Sequence, residues 1–162
     1  MVDTMVDAGM RAPDHGGLLP WRVIEFPQDC RDALADLFEA EKLRRDPLAS
    51  SEDRGRARDH AIHAPLVLAF IVRMQRHPLV PAHEQLLSAG AALGNILMAA
   101  HALGFGAIML SGERCRDQAL REALGLAPLE TLAGFVSVGT VAKAPPPAAR
   151  PSRERVWSTW RS

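Results

Sequence analysis

One long stretch of the chain carries no formal charge, from Leu86 to Gly112, and it constrains the fold more than any other feature. About 20 apolar residues cross a bilayer, so length alone would permit a membrane span. Ser88, Asn95 and His101 place polar side chains along the stretch, where a span would expose them to lipid. We therefore predict a buried helix followed by a buried strand, and no membrane partner.

Hydrophobic periodicity divides the rest of the chain into alternating helices and strands. We predict helices over residues 1–12, 29–45, 82–103 and 117–126, and strands over residues 21–26, 64–72, 105–110 and 132–140. Residues 46–60 have no strong period and predict a mobile loop or a short helix. The alternation favours an α+β fold with a mixed central β-sheet flanked by helices.

The chain length of 162 residues fits a single domain. We assign its core to residues 1–147 and an extended C-terminal arm to residues 148–162. The arm carries Trp157 and Trp160, which favour packing on a partner.

Charge and cysteine content narrow the class of protein. Lys plus Arg and Asp plus Glu both number 19, so the chain lacks the positive field of a nucleic-acid-binding protein. Cys30 and Cys115 lie far apart in a chain that is long enough to fold without a disulfide, which predicts reduced thiols. Residues 1–10 carry acids and no basic segment, unlike a secretion signal. We expect a cytoplasmic protein without a nucleic-acid partner.

A loop rich in binding chemistry, residues 10–22, lies between the first helix and the first strand. Its prolines keep the backbone out of helical geometry, and the Gly16–Gly17 pair lets a flat ligand approach the backbone N–H groups. Arg11 adds a permanent cation and His15 an imidazole. Two interpretations stay open: a ligand-holding loop, or a tight turn in which Asp14 caps its own backbone.

Several catalytic and metal-binding motifs are incomplete in this sequence. The Gly104–Gly106 segment lacks the third glycine of a dinucleotide fingerprint. After His83-Glu84, Leu87 stands where the second histidine of a zinc-protease helix is needed. The pair His60 and His63 has no third ligand, and neither a nucleophile elbow nor a Cys-x-x-Cys pair is present. We predict no metal site and no catalytic side chain.

Separated segments of the chain together resemble the nitroreductase family of FMN-dependent oxidoreductases, most of all its small single-domain bacterial branch. The resemblance runs from Ala8 to about Pro147. It rests on the block Ala8–His15 with Pro20–Arg22, a helix that opens at Ser88–Gly90 and ends at Gly104-Phe105, the turn Ser111-Gly112, and the strand residues Gly134-Phe135 and Val138–Thr140.

This resemblance implies an α+β homodimer with two FMN molecules bound at the subunit interface. Arg11 and His15 would line the flavin from the first loop. Met109, Leu110 and Ser111 would contact it from the second loop.

The long helix would have two further roles. Its small-residue face, with Gly90 and Gly94 one turn apart, would serve the dimer. Its last turn corresponds to a region associated with the nicotinamide nucleotide, which here comprises Ala99, Ala100, His101, Ala102, Leu103 and Gly104.

The resemblance also implies a reaction. NAD(P)H would pass a hydride to flavin N5 and leave, and a nitroaromatic, quinone or activated alkene would then take the reducing equivalents in a ping-pong cycle. Because the cofactor carries the chemistry, no general base is needed. A fixed cation such as Arg11 suits the negative charge of the reduced flavin.

One departure from the family pattern concerns the FMN phosphate. The family usually has an Arg-Arg-Ser/Thr-x-Arg segment before the loop, whereas this sequence begins inside the helix that should follow it. The explanations are a start codon assigned too late, a shortened chain, or a variant that uses Arg22, Arg150 or Arg153 instead. The alternative function is a nitroreductase-like dimeric binding module that has lost productive FMN binding.

Overall fold

The computed structural model describes residues 1–161 as five α-helices and four β-strands. The helices are α1 (Val2–Gly9), α2 (Arg31–Arg45), α3 (Ser51–Ile62), α4 (Ala82–Ala102) and α5 (Gln118–Ala123). The strands are β1 (Trp21–Phe26), β2 (Leu66–Arg73), β3 (Gly106–Leu110) and β4 (Glu130–Gly139). The α+β class predicted from the sequence is confirmed.

The sheet has the strand order β1-β2-β4-β3, and each neighbouring pair is antiparallel. The prediction of a mixed sheet was therefore wrong for residues 1–161. Strands β2 and β3 do run in the same direction, as their connection through α4 favours. However, β4 lies between them and pairs with both, so the two parallel strands never meet.

Strand β2 is the centre of the sheet. Its residues from Leu66 to Val72 are all buried, as expected for a strand that helices cover on both faces. Leu68 and Phe70 face the layer formed by α1 and α4. Val67 and Ile71 face the layer formed by α2, α3 and α5. The continuous apolar run predicted this strand correctly.

Helix α4 packs on the first face through small side chains. Ala92, Ile96 and Ala100 recur at helical spacing and are completely buried. Helix α1 crosses α4 closely, because a Cβ atom on Gly9 would lie 2.9 Å from the Trp21 ring and 3.1 Å from Ile96. This close approach requires glycine at position 9 and fixes the point where the loop after α1 begins.

The second face is covered by α2 and α3. Arg31 is only 2% exposed. Its guanidinium donates to the carbonyl oxygens of Phe26, Ala61, Ala64 and Pro65. Residues predicted as a mobile loop or a short helix form α3, whose first turn is capped by the Ser50 hydroxyl accepting from the Asp53 N–H at 3.1 Å. The short-helix alternative was the correct one.

Residues 140–161 lie outside the sheet and the helical layers. All are exposed, including Trp157 at 69% and Trp160 at 86%. Their only regular element is a single 3₁₀ turn at Arg153–Arg155. The last residue of the predicted C-terminal arm, Ser162, is outside the described residues.

Across the described part of the chain, none of the helices combines the length and the apolar character that a membrane crossing requires.

Candidate functional site

The loop after α1 is closed by side-chain hydrogen bonds to its own backbone and is open at Gly17. The Asp14 carboxylate accepts hydrogen bonds from the N–H groups of Leu18, at 3.2 Å, and Leu19, at 2.7 Å. Gly16 and Gly17 have φ values of 79° and 64°, in the left-handed region that glycine adopts easily. A Cβ atom on Gly17 would have no neighbour within 4 Å. Asp14 thus caps its own backbone, as the turn interpretation predicts. The backbone at Gly17 stays accessible.

His15 is tied to the start of α4. Its Nδ1 lies 2.7 Å from Oε2 of Glu84, although the imidazole stays 61% exposed. Two side chains that follow β2 hold the other end of the loop: Arg73 donates to the Leu19 carbonyl at 2.9 Å, and Gln75 donates to the Leu18 carbonyl at 2.7 Å. The loop therefore has a fixed position relative to the sheet and α4.

The arginines near this loop differ in their partners. Arg11 is exposed beside Asp7 and Met10, and its guanidinium makes no hydrogen bond or ion pair within residues 1–161. Arg22 instead forms a bidentate pair with Glu130, at 2.6 and 2.7 Å. That hydrogen-bonded pair lowers the pKa of the Glu130 carboxyl to about 2. Because the Arg22 guanidinium is already paired with Glu130, it is a poor candidate for a replacement phosphate ligand.

The second loop begins at the end of β3. Because side chains alternate along a strand, Met109 packs against the α1–α4 layer, whereas Leu110 faces the α2–α3 layer and is 41% exposed. A Cβ atom on Gly134 would lie 2.6 Å from Met109, so β4 needs glycine there to let β3 pack. Ser111 follows in an exposed turn, and Gly112 has φ 144° with open space around it.

The predicted nicotinamide region is the end of α4. Ala100 is completely buried in the core, so its side chain packs on the sheet. Ala99 is half-buried. Gly104, at φ 86°, ends the helix and donates its N–H to the His101 carbonyl at 2.9 Å. The exposed residues of this group are His101, Ala102, Leu103 and Gly104.

One chain does not bring all of these residues together. His15 contacts Glu84 in the first turn of α4, and the Ala99–Gly104 segment lies at the other end of the helix. At 1.5 Å per residue, Glu84 and Ala99 are separated by about 22 Å along the helix axis. His15 and the Ala99–Gly104 segment therefore lie at opposite ends of α4. The end of α1, just before Arg11, lies between them, because the Asn95 side chain donates to the Ala8 carbonyl at 3.1 Å.

The outer face of α4 lies between these two ends of the helix. Leu86, Leu87 and Met98 are 55%, 71% and 65% exposed. Gly90 and Gly94 flank the midpoint of the helix, and a Cβ atom on either would meet nothing within 4 Å. This face is apolar and has no packing partner within residues 1–161.

A cavity of about 310 Å³ adjoins the second loop on the other side of the sheet. Phe38 and Phe135 line it, and beside it the Glu41 carboxylate, 1% exposed, is paired with Arg45 at 2.7 Å and Arg114 at 3.3 Å. Sequence reasoning missed this cluster. The available signal was that Glu41 continues the apolar stripe of Leu34 and Phe38 along α2, where a carboxylate is buried only with a partner.

The topology, a four-stranded antiparallel sheet between an α1–α4 layer and an α2–α3–α5 layer, defines the class as an α+β protein of the nitroreductase fold. The solved structure of a nitroreductase-like family protein from Bacillus cereus superimposes with a TM-score of 0.82 at 18% identity, covering 99% of this chain and 84% of that one. The Nitroreductase family model matches residues 1–140. The chain belongs to the nitroreductase family.

Two further matches are a sequence relative and a solved structure, each with a name that refers to nitroreductases. The chain is 33% identical over 141 residues to the "Putative NAD(P)H nitroreductase YdjA" of Escherichia coli K12, which covers 86% of this chain and 75% of that protein. The structure of a "putative nitroreductase in complex with fmn" from Desulfovibrio desulfuricans is 25% identical, with a TM-score of 0.70. That alignment covers 99% of this chain and 84% of the other.

Proposed function

We propose that this protein is an FMN-dependent oxidoreductase that uses NAD(P)H to reduce nitroaromatic, quinone or activated-alkene substrates in a ping-pong cycle. The observation that carries the proposal is the family match across residues 1–140. It is supported by the name of the Escherichia coli relative and by the FMN complex of the Desulfovibrio desulfuricans protein.

The described residues fit the flat part of a flavin. Gly17 and Gly112 leave their backbones open in the two loops, so a planar ring can approach the N–H groups without meeting a Cβ atom. Arg11 lies at the start of the first loop, and its guanidinium has no partner within residues 1–161. It would stabilise negative charge on the bound group. For the phosphate, we propose that Arg150 or Arg153 contributes.

We further propose that two copies assemble through the outer face of α4. A twofold axis perpendicular to α4 near Gly90 and Gly94 would set the first half of one helix against the second half of the other. The His15 end of one protomer would then lie near the Ala99–Gly104 end of its partner. Such an assembly would cover the exposed apolar side chains and bring these two segments of the predicted site together.

Within this dimer, the residues of the chain would position the flavin and shield it from water. FMN, when bound, supplies hydride acceptance and donation at N5. The first loop, with His15, and the second loop, with Met109, Leu110 and Ser111, would hold the ring from two sides. The end of α4 would orient the nicotinamide nucleotide, and the partner's α4 would exclude water. No side chain is required as a general base. We also infer a cytoplasmic location, in accordance with the two free cysteines.

The test is the colour of the purified protein. The chain is incubated with FMN, desalted, and its visible spectrum is recorded before and after anaerobic addition of NADH or NADPH. Retained flavin that bleaches with a nicotinamide nucleotide is expected. A colourless protein that cannot be reconstituted would overturn the proposal and support the alternative, a dimeric binding module without productive FMN binding.

Arg11→Ala sharpens this test. Loss of the cation is expected to weaken FMN retention or to slow flavin reduction. Arg56→Ala is the matched control, since Arg56 is an exposed arginine on α3, in the opposite layer. Unchanged flavin content and reduction rate in the Arg11 variant would remove Arg11 from the site.

A further inference from the structure

Gln85 is a buried polar side chain to which the proposed chemistry assigns no role. It lies in the first turn of α4 and is 1% exposed. Its Oε1 accepts from the Gln75 N–H at 2.8 Å, and its Nε2 donates to the carbonyl oxygens of Gln75 and Val80 at 2.8 and 3.1 Å. Both donor hydrogens and the oxygen of the amide are therefore used. The Gln85 amide thus joins the start of α4 to the segment that precedes this helix.

The segment that Gln85 holds, residues 74–80, has few other attachments. Residues 74–79 are all exposed, and only Val80, at 2% exposed, is buried. Within residues 1–161, the hydrogen bonds of this segment to the rest of the chain go to Gln85 and to the first loop. Loss of the Gln85 amide would therefore remove the hydrogen bonds that attach the segment to α4.

The first loop contacts this segment at two points. The Gln75 side chain donates to the Leu18 carbonyl at 2.7 Å. A Cβ atom on Gly16 would lie 3.2 Å from the Val80 side chain, so the backbone of the loop packs directly on that residue. The two residues that contact the loop are the same two that Gln85 holds. A continuous set of contacts thus runs from α4 through this segment to the glycine turn of the loop.

The conformation of the first loop is uncommon. Gly16 and Gly17 both have positive φ, and the Asp14 carboxylate accepts from the N–H groups of Leu18 and Leu19. Glycine loses more conformational freedom on ordering than any other residue. A loop that already has its bound conformation does not lose this freedom when a ligand binds. Contacts that hold the loop in place therefore raise its affinity for a ligand.

We propose that Gln85 is a positioning residue for the first loop, which it holds through Gln75 and Val80 in the conformation that binds the flavin. Gln85 would act without touching the flavin, because its amide is occupied by the backbone of these two residues. The effect on flavin affinity rests on the proposed function. The effect on the loop follows from contacts within residues 14–85 alone.

Hydrogen exchange of the full chain, prepared without FMN, tests the effect on the loop. Gln85→Met keeps the length of the side chain and removes its hydrogen bonds. The N–H groups of Gly17, Leu18 and Leu19 should exchange at least about tenfold faster in this variant, because the loop opens more often. Leu34→Ala is the control for lost stability, since Leu34 is buried in the layer on the other face of the sheet. Unchanged exchange in Gln85→Met, or an equal increase in Leu34→Ala, would overturn the proposal.

Gln75→Ala tests the same set of contacts without altering a buried side chain, so it decides the question even if Gln85→Met does not fold. It removes the hydrogen bond to the Leu18 carbonyl and keeps the backbone bonds to Gln85. The Leu18 N–H should exchange faster, by a smaller factor than in Gln85→Met. Leu79→Ala is the matched control, because Leu79 is 76% exposed in the same segment. Equal exchange of the Leu18 N–H in these two alanine variants would contradict the proposal.

Fluorescence titration of FMN with each protein tests the effect on flavin affinity. The Kd of Gln85→Met should rise at least about tenfold, because ordering the backbone of one loop residue on binding costs about that factor. Leu34→Ala, measured under conditions where it is folded, should keep the affinity of the unsubstituted protein. A Gln85→Met variant whose loop exchanges faster but whose FMN affinity is unchanged would contradict the proposal. An unsubstituted chain that binds no FMN would instead contradict the proposed function, and the exchange data alone would then decide whether Gln85 holds the loop.

Discussion

The two helical layers of this protein have different outer surfaces. The outer surface of α2 and α3 is an array of ion pairs: Arg58 with Asp36 and Glu39, and Arg54 with Glu39. The outer surface of α4 has Leu86, Leu87 and Met98 exposed on either side of two glycines. Both layers cover the same sheet, so the difference lies in what each layer faces on its outer side.

The contrast agrees with the proposed dimer, in which the α2–α3 layer meets water and the α4 layer meets the second copy. Charged side chains stay hydrated on a solvent-facing helix, whereas a large apolar patch is rarely left exposed. Glycines at the midpoint of α4 allow a second helix to approach closely. In the proposed dimer, the α2–α3 layer is complete within one chain, whereas the α4 layer is completed by the partner.

The largest effect on stability is expected for a buried side chain of the α2–α3 layer. Arg31→Ala leaves four carbonyl groups without their donor in a site that is 2% exposed. We expect a loss of at least about 3 kcal/mol in the free energy of unfolding, measured by urea denaturation. Arg58→Ala, on the surface of the same layer, is the control and should leave the urea midpoint nearly unchanged. Similar midpoints for the two variants would show that Arg31 does not hold this layer together.

The second-largest effect is expected on dimer affinity, for a substitution on the outer face of α4. Gly94→Glu introduces a charge where two α4 helices are proposed to meet, so the dissociation constant of the dimer should rise at least about a hundredfold. Gly55→Glu is the matched control, because Gly55 is also a helical glycine with open space around it, but on α3. Sedimentation velocity should show a folded monomer for Gly94→Glu and a dimer for Gly55→Glu. A dimer in both cases would exclude the α4 face as the interface.

A smaller effect concerns the ion pair between β1 and β4. Arg22 lowers the Glu130 pKa from 4.5 to about 2, so this pair stabilises the fold above the ordinary pKa and is lost as pH falls toward the lowered one. Glu130→Gln should cost about 2 kcal/mol at neutral pH. The difference from the unsubstituted protein should vanish between about pH 5 and pH 2 in denaturation curves recorded across this range. A difference that is independent of pH would mean that the charge of Glu130 is not the source of the stability.

The smallest effect compares two glycines by helix propensity. Gly55→Ala should stabilise the protein by about 0.5–1 kcal/mol, because alanine is the better helix former and its Cβ meets open space. Gly94→Ala should give a similar gain in the monomer, but a weaker dimer, because the added methyl group separates the helices. Thermal unfolding at several protein concentrations distinguishes the two contributions. Equal dimer affinity in both variants would mean that α4 needs no small residue at position 94.

Most of the fold could be predicted from the sequence. Strand β1 was assigned with its observed bounds, Trp21–Phe26, because Pro20 and Pro27 mark both ends. The start of α4 at Ala82 was predicted from Pro81, and its end was predicted one residue late, at residue 103, from Gly104. The antiparallel sheet could not be predicted, since the order of strands depends on which pairs meet in space. The position of β4 between β2 and β3 has no local signal.

The candidate site was predictable only in part. The prolines and glycines of the first loop revealed an unusual backbone, and Gly16 and Gly17 do have positive φ. The buried pair of Glu41 and Arg114 was missed, because the two residues are distant in sequence and each resembles a surface charge by itself. Spacing along the chain also could not reveal that His15 and the Ala99–Gly104 segment lie at opposite ends of α4.

The most direct measurement is sedimentation velocity of the FMN-loaded protein, followed at the visible absorbance of the flavin. We expect the flavin to sediment with a dimer at one FMN per chain, and both the dimer and the bound flavin to be lost together in Gly94→Glu. Flavin that sediments with a folded monomer at undiminished affinity would contradict a site shared between two copies of the α4 face.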